Sequence, residues 1–406
     1  MSVILIATLD TKGEEAGFVR DELEKRGMSV CLIDAGIMGN PTIPADITSD
    51  DVLRSAGTTL AAVRAKGDRG EAVTLAAAGV SAIARRLYAE GKVAGILGLG
   101  GSAGTTIATA AMRTLPFGIP KLMISTLASG QVRPFVGPRD IMMFHSVTDI
   151  SGLNRISRSI LGRAAAAMAG MLNSPTSVDR SQDRPILTAT MFGVTTPCVE
   201  TARAMAESMG YEVLVFHAVG TGGEAMESLV GDSLAVGVLD ITTTEWADEL
   251  VGGVLSAGPQ RLDAAGKRGV PAIVVPGCLD MANFGERQSV PEKYAHRNLY
   301  IHNPQVTLMR TSVEECRRLG EILAQKLNRY RGPVTVLLPT RGISIISTEG
   351  QPFHDPAADA ALFDTLTQQL SPTIQVKRLD TAINDPAFAT ACAESLLTNM
   401  QRRPNT

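Results

Sequence analysis

At 406 residues, with 45% hydrophobic residues, only 4% aromatic residues and 39 glycines, the chain is long enough for two α/β domains rather than one. A net charge of −3 gives no strong field for nucleic acid or anionic lipid, so neither is expected as a direct partner. Five dispersed cysteines without a CxxC pair, and no run of 18 apolar residues, argue against a disulfide frame, a cysteine zinc site and a membrane span.

The opening MSVILIATLDTKGEE has a short apolar run with no basic flank, which reads as a first strand and not as a signal peptide. A cytoplasmic protein is therefore expected. Apolar runs predict strands over 3–9, 29–34, 93–97, 121–127 and 140–146, with amphipathic helices over 14–26, 71–90, 105–114 and 154–172 between them. The polar stretch 173–185 carries two prolines and reads as a linker, which divides the chain into domains over 1–178 and 184–406. Beyond it the alternation restarts. Strands are predicted over 186–191, 212–217, 234–241, 272–275, 334–338 and 374–379, and helices over 197–209, 224–229, 312–330, 357–370 and 386–400. The expected fold class is α/β, two Rossmann-like doubly wound domains with mostly parallel sheets.

In such sheets ligands sit beyond the carboxyl ends of the strands, so the informative residues follow each strand. The stretch GLGGSAGTT after the third strand satisfies G-x-G-x-x-A through Gly98, Gly100 and Ala103. A Walker A loop is excluded because Thr105 stands where its lysine would be, and the next strand ends at Thr126 without the acid a dinucleotide ribose requires. Phosphate chemistry survives both exclusions. Gly100, Gly101 and Gly104 let a backbone approach an anion, Ser102 and Thr105 add hydroxyls, and a helix start supplies free N–H groups and partial positive charge. Beside it, Thr11 and Gly13 open a helix, Asp10 could orient Mg²⁺ through water and Lys12 could neutralise a phosphate. The second half gathers Gly, Thr, Asp and Arg after its strands, with Asp280, His302 and Arg341 as a possible second polar site. The histidine spacings match no metal motif, no nucleophile elbow is present, and no catalytic group is identified.

Taken in order, ATLDTKGEE, GLGGSAGT, PGCLDMANFG and LPTRGIS resemble a family of bacterial and plant proteins. It is typified by the N-terminal inhibitory domain of the tomato mosaic virus resistance protein of tomato. The resemblance spans essentially the whole chain. It implies two Rossmann-like domains, ATP with Mg²⁺ in the first, and self-association, for example as a dimer. Carried over by motif, it implies nucleotide contacts from Asp10, Thr11, Lys12 and Gly13, from Gly100, Gly101, Ser102, Gly104 and Thr105, and from Thr126, Ser129 and Gly130. The plant protein continues into a barrel-like domain, so any activity needing one would require a separate protein here. The expected function is an ATP-binding protein of regulatory or interaction type. The alternative is an ATP-dependent or hydrolase-type enzyme of small-molecule metabolism with a second site in the C-terminal domain.

Overall fold

The computed structural model describes residues 1–174 and 183–402. The chain divides into two compact units, Met1–Val178 and Asp179–Thr406. Most of the expected linker, with the expected boundary at 178, lies outside the described residues.

The first unit runs β1 (Ser2–Ala7), α1 (Leu9–Glu24), β2 (Val30–Asp34), α2 (Ser49–Ser55), α3 (Leu60–Lys66), α4 (Arg69–Ala89), β3 (Val93–Gly100), α5 (Ser102–Thr114), β4 (Lys121–Ser125), α6 (Arg133–Val136), β5 (Met142–His145) and α7 (Arg155–Asn173). The sheet order is β2-β1-β3-β4-β5, and every pairing is parallel. β1 is apolar throughout because both faces are covered. Its Ile4 and Ile6 pack with Val80 and Ile83 of α4 and Ala108 and Met112 of α5. The alternate residues Val3, Leu5 and Ala7 pack with Ala16, Val19 and Leu23 of α1 and Leu161 and Ala165 of α7. Each large side chain buried this way contributes about 1.5–3 kcal/mol.

Three helices of this unit begin earlier than the hydrophobic period predicts. α1 starts at Leu9 instead of 14, so Asp10, Thr11, Lys12 and Gly13 lie inside its first turns, with Lys12 off helical geometry (φ −130°, ψ 23°). α5 starts at Ser102 instead of 105, directly after a strand that continues to Gly100. Small and polar residues lack the apolar stripe on which the helix reading depends, yet they occupy first turns well. α4 starts at Arg69 because Asp68 accepts hydrogen bonds from the Gly70 and Glu71 N–H groups.

The second unit runs β6 (Ile186–Met191), α8 (Thr196–Ser208), β7 (Glu212–His217), α9 (Thr221–Gly231), β8 (Gly237–Thr242), α10 (Glu245–Val251), α11 (Ala264–Arg268), β9 (Ala272–Gly277), β10 (Met281–Phe284), β11 (Leu299–Asn303), β12 (Val306–Arg310), α12 (Val313–Leu327), β13 (Val334–Pro339), α13 (Pro356–Gln369), β14 (Gln375–Leu379) and α14 (Pro386–Gln401). Six strands form a parallel sheet in the order β14-β13-β9-β8-β6-β7. Here too alternation divides the core. Ile273 and Val275 face α8 and α14, whereas Ala272 and Val274 face α12 and α13. The antiparallel sheet β10-β12-β11 was not expected from the sequence. No described helix is long and apolar enough to cross a membrane.

A buried acid ties α10 to this small sheet. The Asp248 carboxylate accepts hydrogen bonds from the Asn283 backbone N–H at 3.0 Å, the Asn283 amide at 2.7 Å and the Leu255 N–H at 3.1 Å. Burial raises its pKa from 3.8 to about 7, against the lowering effect of those donors. The folded chain thus keeps a proton that the unfolded chain has released between roughly pH 4 and pH 7. Stability associated with Asp248 is therefore lost as pH rises through that window, by a few kcal/mol at most. Asn283 Oδ1 is buried without a partner, so rotating that amide would let it accept a hydrogen bond from protonated Asp248 or from the amide of an asparagine in its place. Asp248→Asn is expected to flatten the fall in urea midpoint between pH 5 and pH 8, and an unchanged slope would remove Asp248 as its source.

Candidate functional site

The chain passes from β1 outward to β2 and then returns to β3 on the other side of β1. Strand order reverses between β1 and β3, which is where open α/β sheets bind ligands. Helices α1 and α5 leave this point on opposite faces of the sheet. A cavity of about 310 Å³ opens there, lined by Thr8, Asp10, Thr11, Ala35, Ile37, Met38, Arg69, Ala72, Val73, Ala103 and Ile107. Its volume lies at the small end of the range for organic ligands.

The first turns of three helices contribute to this lining. The start of α5 has no side-chain cap, so its N–H donors and partial positive charge are available to an anion, whereas at α1 the Leu9 N–H is taken by Asp34 and the Thr11 and Lys12 N–H groups by the Thr8 carbonyl. The Thr8 and Thr11 hydroxyls lie 2.9 Å apart. Arg69 opens α4, is exposed, and has no hydrogen-bond or ion-pair partner among the described residues. Ala35, Ile37, Met38, Ala72, Val73 and Ile107 form an apolar wall, and Met38 is 61% exposed.

Asp10 has a structural task as well. Its Oδ2 accepts hydrogen bonds from the Met38 N–H at 3.1 Å and the Gly39 N–H at 2.9 Å, fixing the loop that carries the apolar wall. Gly36 is required for this approach, since a Cβ there would stand 2.6 Å from Asp10 Oδ1. Asp34 anchors the other end of the loop, accepting from the Leu9 N–H at 3.0 Å and the Gly36 N–H at 2.7 Å. Burial raises its pKa despite those two donors.

Of the remaining residues expected to touch a nucleotide, several serve the loop itself. Gly13 is buried, and a Cβ on it would overlap Thr42 Oγ1. Gly100 and Gly104 face each other so closely that a Cβ on Gly100 would sit 2.9 Å from Gly104 Cα. Thr105 is fully buried, with its hydroxyl 2.7 Å from Ser125 Oγ. Gly101 is different: a Cβ there would meet only Thr126 Oγ1, at 3.8 Å. Ser102 is exposed at the start of α5, and Lys12 is half-buried outside the cavity lining. Ser129 and Gly130 are exposed and do not line the cavity. Arg69, Ile37 and Met38 were missed by sequence reasoning, because no local motif marks the loop after β2 or the start of α4.

The second expected cluster does not converge. Asp280 is fully buried and accepts a hydrogen bond from Ser344 Oγ at 2.8 Å. Burial raises its pKa to about 6, opposed by the Arg310 charge. His302 is exposed on β11. Arg341 is exposed and paired with Asp380 at 2.7 Å, lining a cleft that neither Asp280 nor His302 lines. Proximity in the order of strand ends did not translate into proximity in space.

The second unit has its own reversal of strand order, between β6 and β8. There the chain supplies the charges itself. Arg261, 1% exposed, places Nη1 and Nη2 each 2.6 Å from the Asp240 carboxylate, Nε 2.7 Å from Glu245 and Nη1 3.3 Å from Glu227. Glu245 also accepts the Gly220 and Gly223 N–H groups at 2.8 and 3.0 Å, the helix-start donors of α9. Burial raises the pKa of Glu245 and of Glu227, and the Arg261 charge opposes it.

A magnesium–nucleotide complex fits the first cavity in its donor set. The described residues contain no group of three or more acidic, His or Cys side chains able to hold a metal ion alone. Asp10 Oδ1 accepts no hydrogen bond, so it could contribute one oxygen to a cation that phosphates otherwise hold. The Thr8 and Thr11 hydroxyls, Arg69 and the uncapped start of α5 are the groups available to the phosphates.

Comparison with known proteins agrees with the order of motifs along the chain. Residues 1–177 match the model "Uncharacterised protein family (UPF0261) N-terminal domain" and residues 184–400 match its C-terminal counterpart. A UPF0261 protein of Clostridium tetani is 46% identical over 98% of this chain and 99% of its own length. The ToMV susceptible protein tm-1(GCR26) of Solanum lycopersicum is 38% identical over 97% of this chain, which spans 55% of the tomato protein. Among solved structures, a UDP-N-acetylglucosamine 2-epimerase aligns over 100% of this chain and 99% of its own at 10% identity and a TM-score of 0.23, too distant to carry an argument. Two family models that together cover nearly the whole chain, and relatives aligned end to end, place this protein in the UPF0261 family.

Proposed function

We propose that the first unit is a nucleotide-binding unit that holds ATP, with Mg²⁺, in the cavity between β1 and β3. The observation that carries this reading is the meeting of the uncapped start of α5, two hydroxyls and an unpaired arginine with an apolar wall at a reversal of strand order. The start of α5 and Arg69 suit the phosphates, and the wall from Ile37 to Val73 suits a base. Among the described residues, Asp10 is the one carboxylate lining the cavity, and its assignment to Mg²⁺ leaves no lining side chain to serve as the base that activates water. This favours binding that shapes a surface for a partner over rapid turnover, that is, a regulatory or interaction protein of the cytoplasm that self-associates.

Isothermal titration of the full chain with ATP and Mg²⁺ tests the reading. Heat of binding is expected from wild type, and Arg69→Ala should weaken affinity about tenfold by removing one charge-assisted contact. Absence of binding at millimolar ATP would overturn the proposal. A second reading, an enzyme of small-molecule metabolism, is favoured by one observation, the cleft of about 740 Å³ in the second unit. Light scattering with gel filtration tests self-association, where a strictly monomeric mass would rule it out.

A further inference from the structure

The larger cleft, about 740 Å³, opens at the carboxyl ends of β13 and β14, on the ligand-binding edge of the second sheet. Seven of its lining groups carry charge or titrate: the guanidinium groups of Arg341 and Arg378, the carboxylates of Glu349, Asp359, Asp364 and Asp385, and His354. Arg341 pairs with Asp380 at 2.7 Å and Arg378 with Asp364 at 2.8 Å, and both pairs are largely exposed. Such pairs are worth only about 0–1 kcal/mol, so either guanidinium can exchange its partner for a ligand carboxylate at little cost.

The acidic side of the cleft is held more firmly. Asp359 Oδ1 sits 2.6 Å from Arg310 Nη2, and Arg310 is itself buried against the Phe353 carbonyl at 2.8 Å and the Thr311 hydroxyl at 3.0 Å. Asp359 Oδ2 accepts no hydrogen bond among the described residues. His354 has Nδ1 3.3 Å from the Ser347 carbonyl oxygen, which leaves Nε2 without a partner. Both helices that begin at the cleft already carry carboxylates at their starts. Asp355 accepts the Ala358 N–H of α13 at 3.0 Å, and Asp385 precedes α14 and accepts the Ala382 N–H at 2.8 Å. A phosphate would find the start of α13 taken and the carboxylate of Asp385 beside the start of α14. An anion meets repulsion from four lining carboxylates and a cation from two guanidinium groups, whereas a ligand bearing both charges can pair with each kind.

We propose that this cleft binds a small zwitterion of the free amino-acid class, its ammonium group at Asp359 and Asp385 and its carboxylate at Arg378 or Arg341. The site belongs to the second unit, so its test is separable from that of ATP binding. The full chain is titrated calorimetrically with each of the twenty amino acids, with putrescine as a cation-only probe and succinate as an anion-only probe. At least one amino acid should bind with Kd below about 1 mM, and neither single-charge probe should match it. Arg378→Gln, at an exposed strand position, and Asp385→Asn, which keeps a side-chain oxygen to accept the Ala382 N–H, should each weaken that binding tenfold or more while the melting curve stays in place. The proposal is overturned if no amino acid binds, if putrescine or succinate binds as well, or if both variants bind as wild type does.

Discussion

Gly101→Asp will lose ATP binding by on the order of 100-fold while the first unit keeps its stability. Gly101 is the residue before α5, with φ −79° and ψ −152°, a backbone any residue can adopt, and a Cβ there meets nothing closer than 3.8 Å. Aspartate is a favoured residue at such a position, because its carboxylate accepts hydrogen bonds from the first free N–H groups of the helix. Those are the donors a phosphate needs, and the added negative charge repels the triphosphate as well. The helix should therefore gain a few tenths of a kcal/mol or stay unchanged, while the ligand is lost. Gly101→Ala, with no charge, should retain ATP. Gly100→Ala provides the opposite contrast, since its Cβ would be forced against Gly104 Cα at 2.9 Å with φ at +158°. It should destabilise the unit by about 1–3 kcal/mol. Undiminished titration heat from Gly101→Asp would show that the start of α5 does not hold the phosphates.

Arg261→Met is expected to cost the second unit about 3–5 kcal/mol, the usual consequence of removing one partner from a buried ionic cluster. For a unit of this size that lowers the melting temperature by roughly 10 °C. The cost arises from what remains: Asp240, Glu245 and Glu227 lose their common counter-charge in surroundings where burial already raises the pKa of the two glutamates. Combining Arg261→Met with Asp240→Asn and Glu245→Gln removes two of the stranded charges and should recover part of the loss. If the triple variant melted no higher than the single one, the effect would be packing and not charge. Differential scanning calorimetry distinguishes the two.

The alternation of strands and helices was legible because it depends on period. β6 and β7 occupy the predicted ranges to the residue, each an uninterrupted run between turn residues. The sheet β10-β12-β11 was not legible, since its strands are only four or five residues long and the segment between β10 and β11 is rich in charge. Strands so short show no dependable alternation, and their register depends on partners far along the chain. Among site residues, Asp10 and Thr11 were readable from their place after an apolar strand. Arg69 reaches the same cavity from the start of a helix some sixty residues later, a position no spacing rule selects. Asp280, His302 and Arg341 illustrate the converse: residue types suited to chemistry, each following or lying on a strand, separated by the actual order β13-β9-β8 and by the inserted sheet.

The cluster around Arg261 gives the two units different relations to solution conditions. In the second, the donors at the start of α9 are engaged by Glu245, a ligand on the same chain, present at an effective concentration no free solute reaches. That unit has its anion at all times and cannot respond to the supply of one. In the first, the donors at the start of α5 have no such internal acceptor. With the proposed nucleotide as ligand, the stability of that unit would rise with the logarithm of ligand concentration above Kd, making it a gauge where the second unit is a fixed reference.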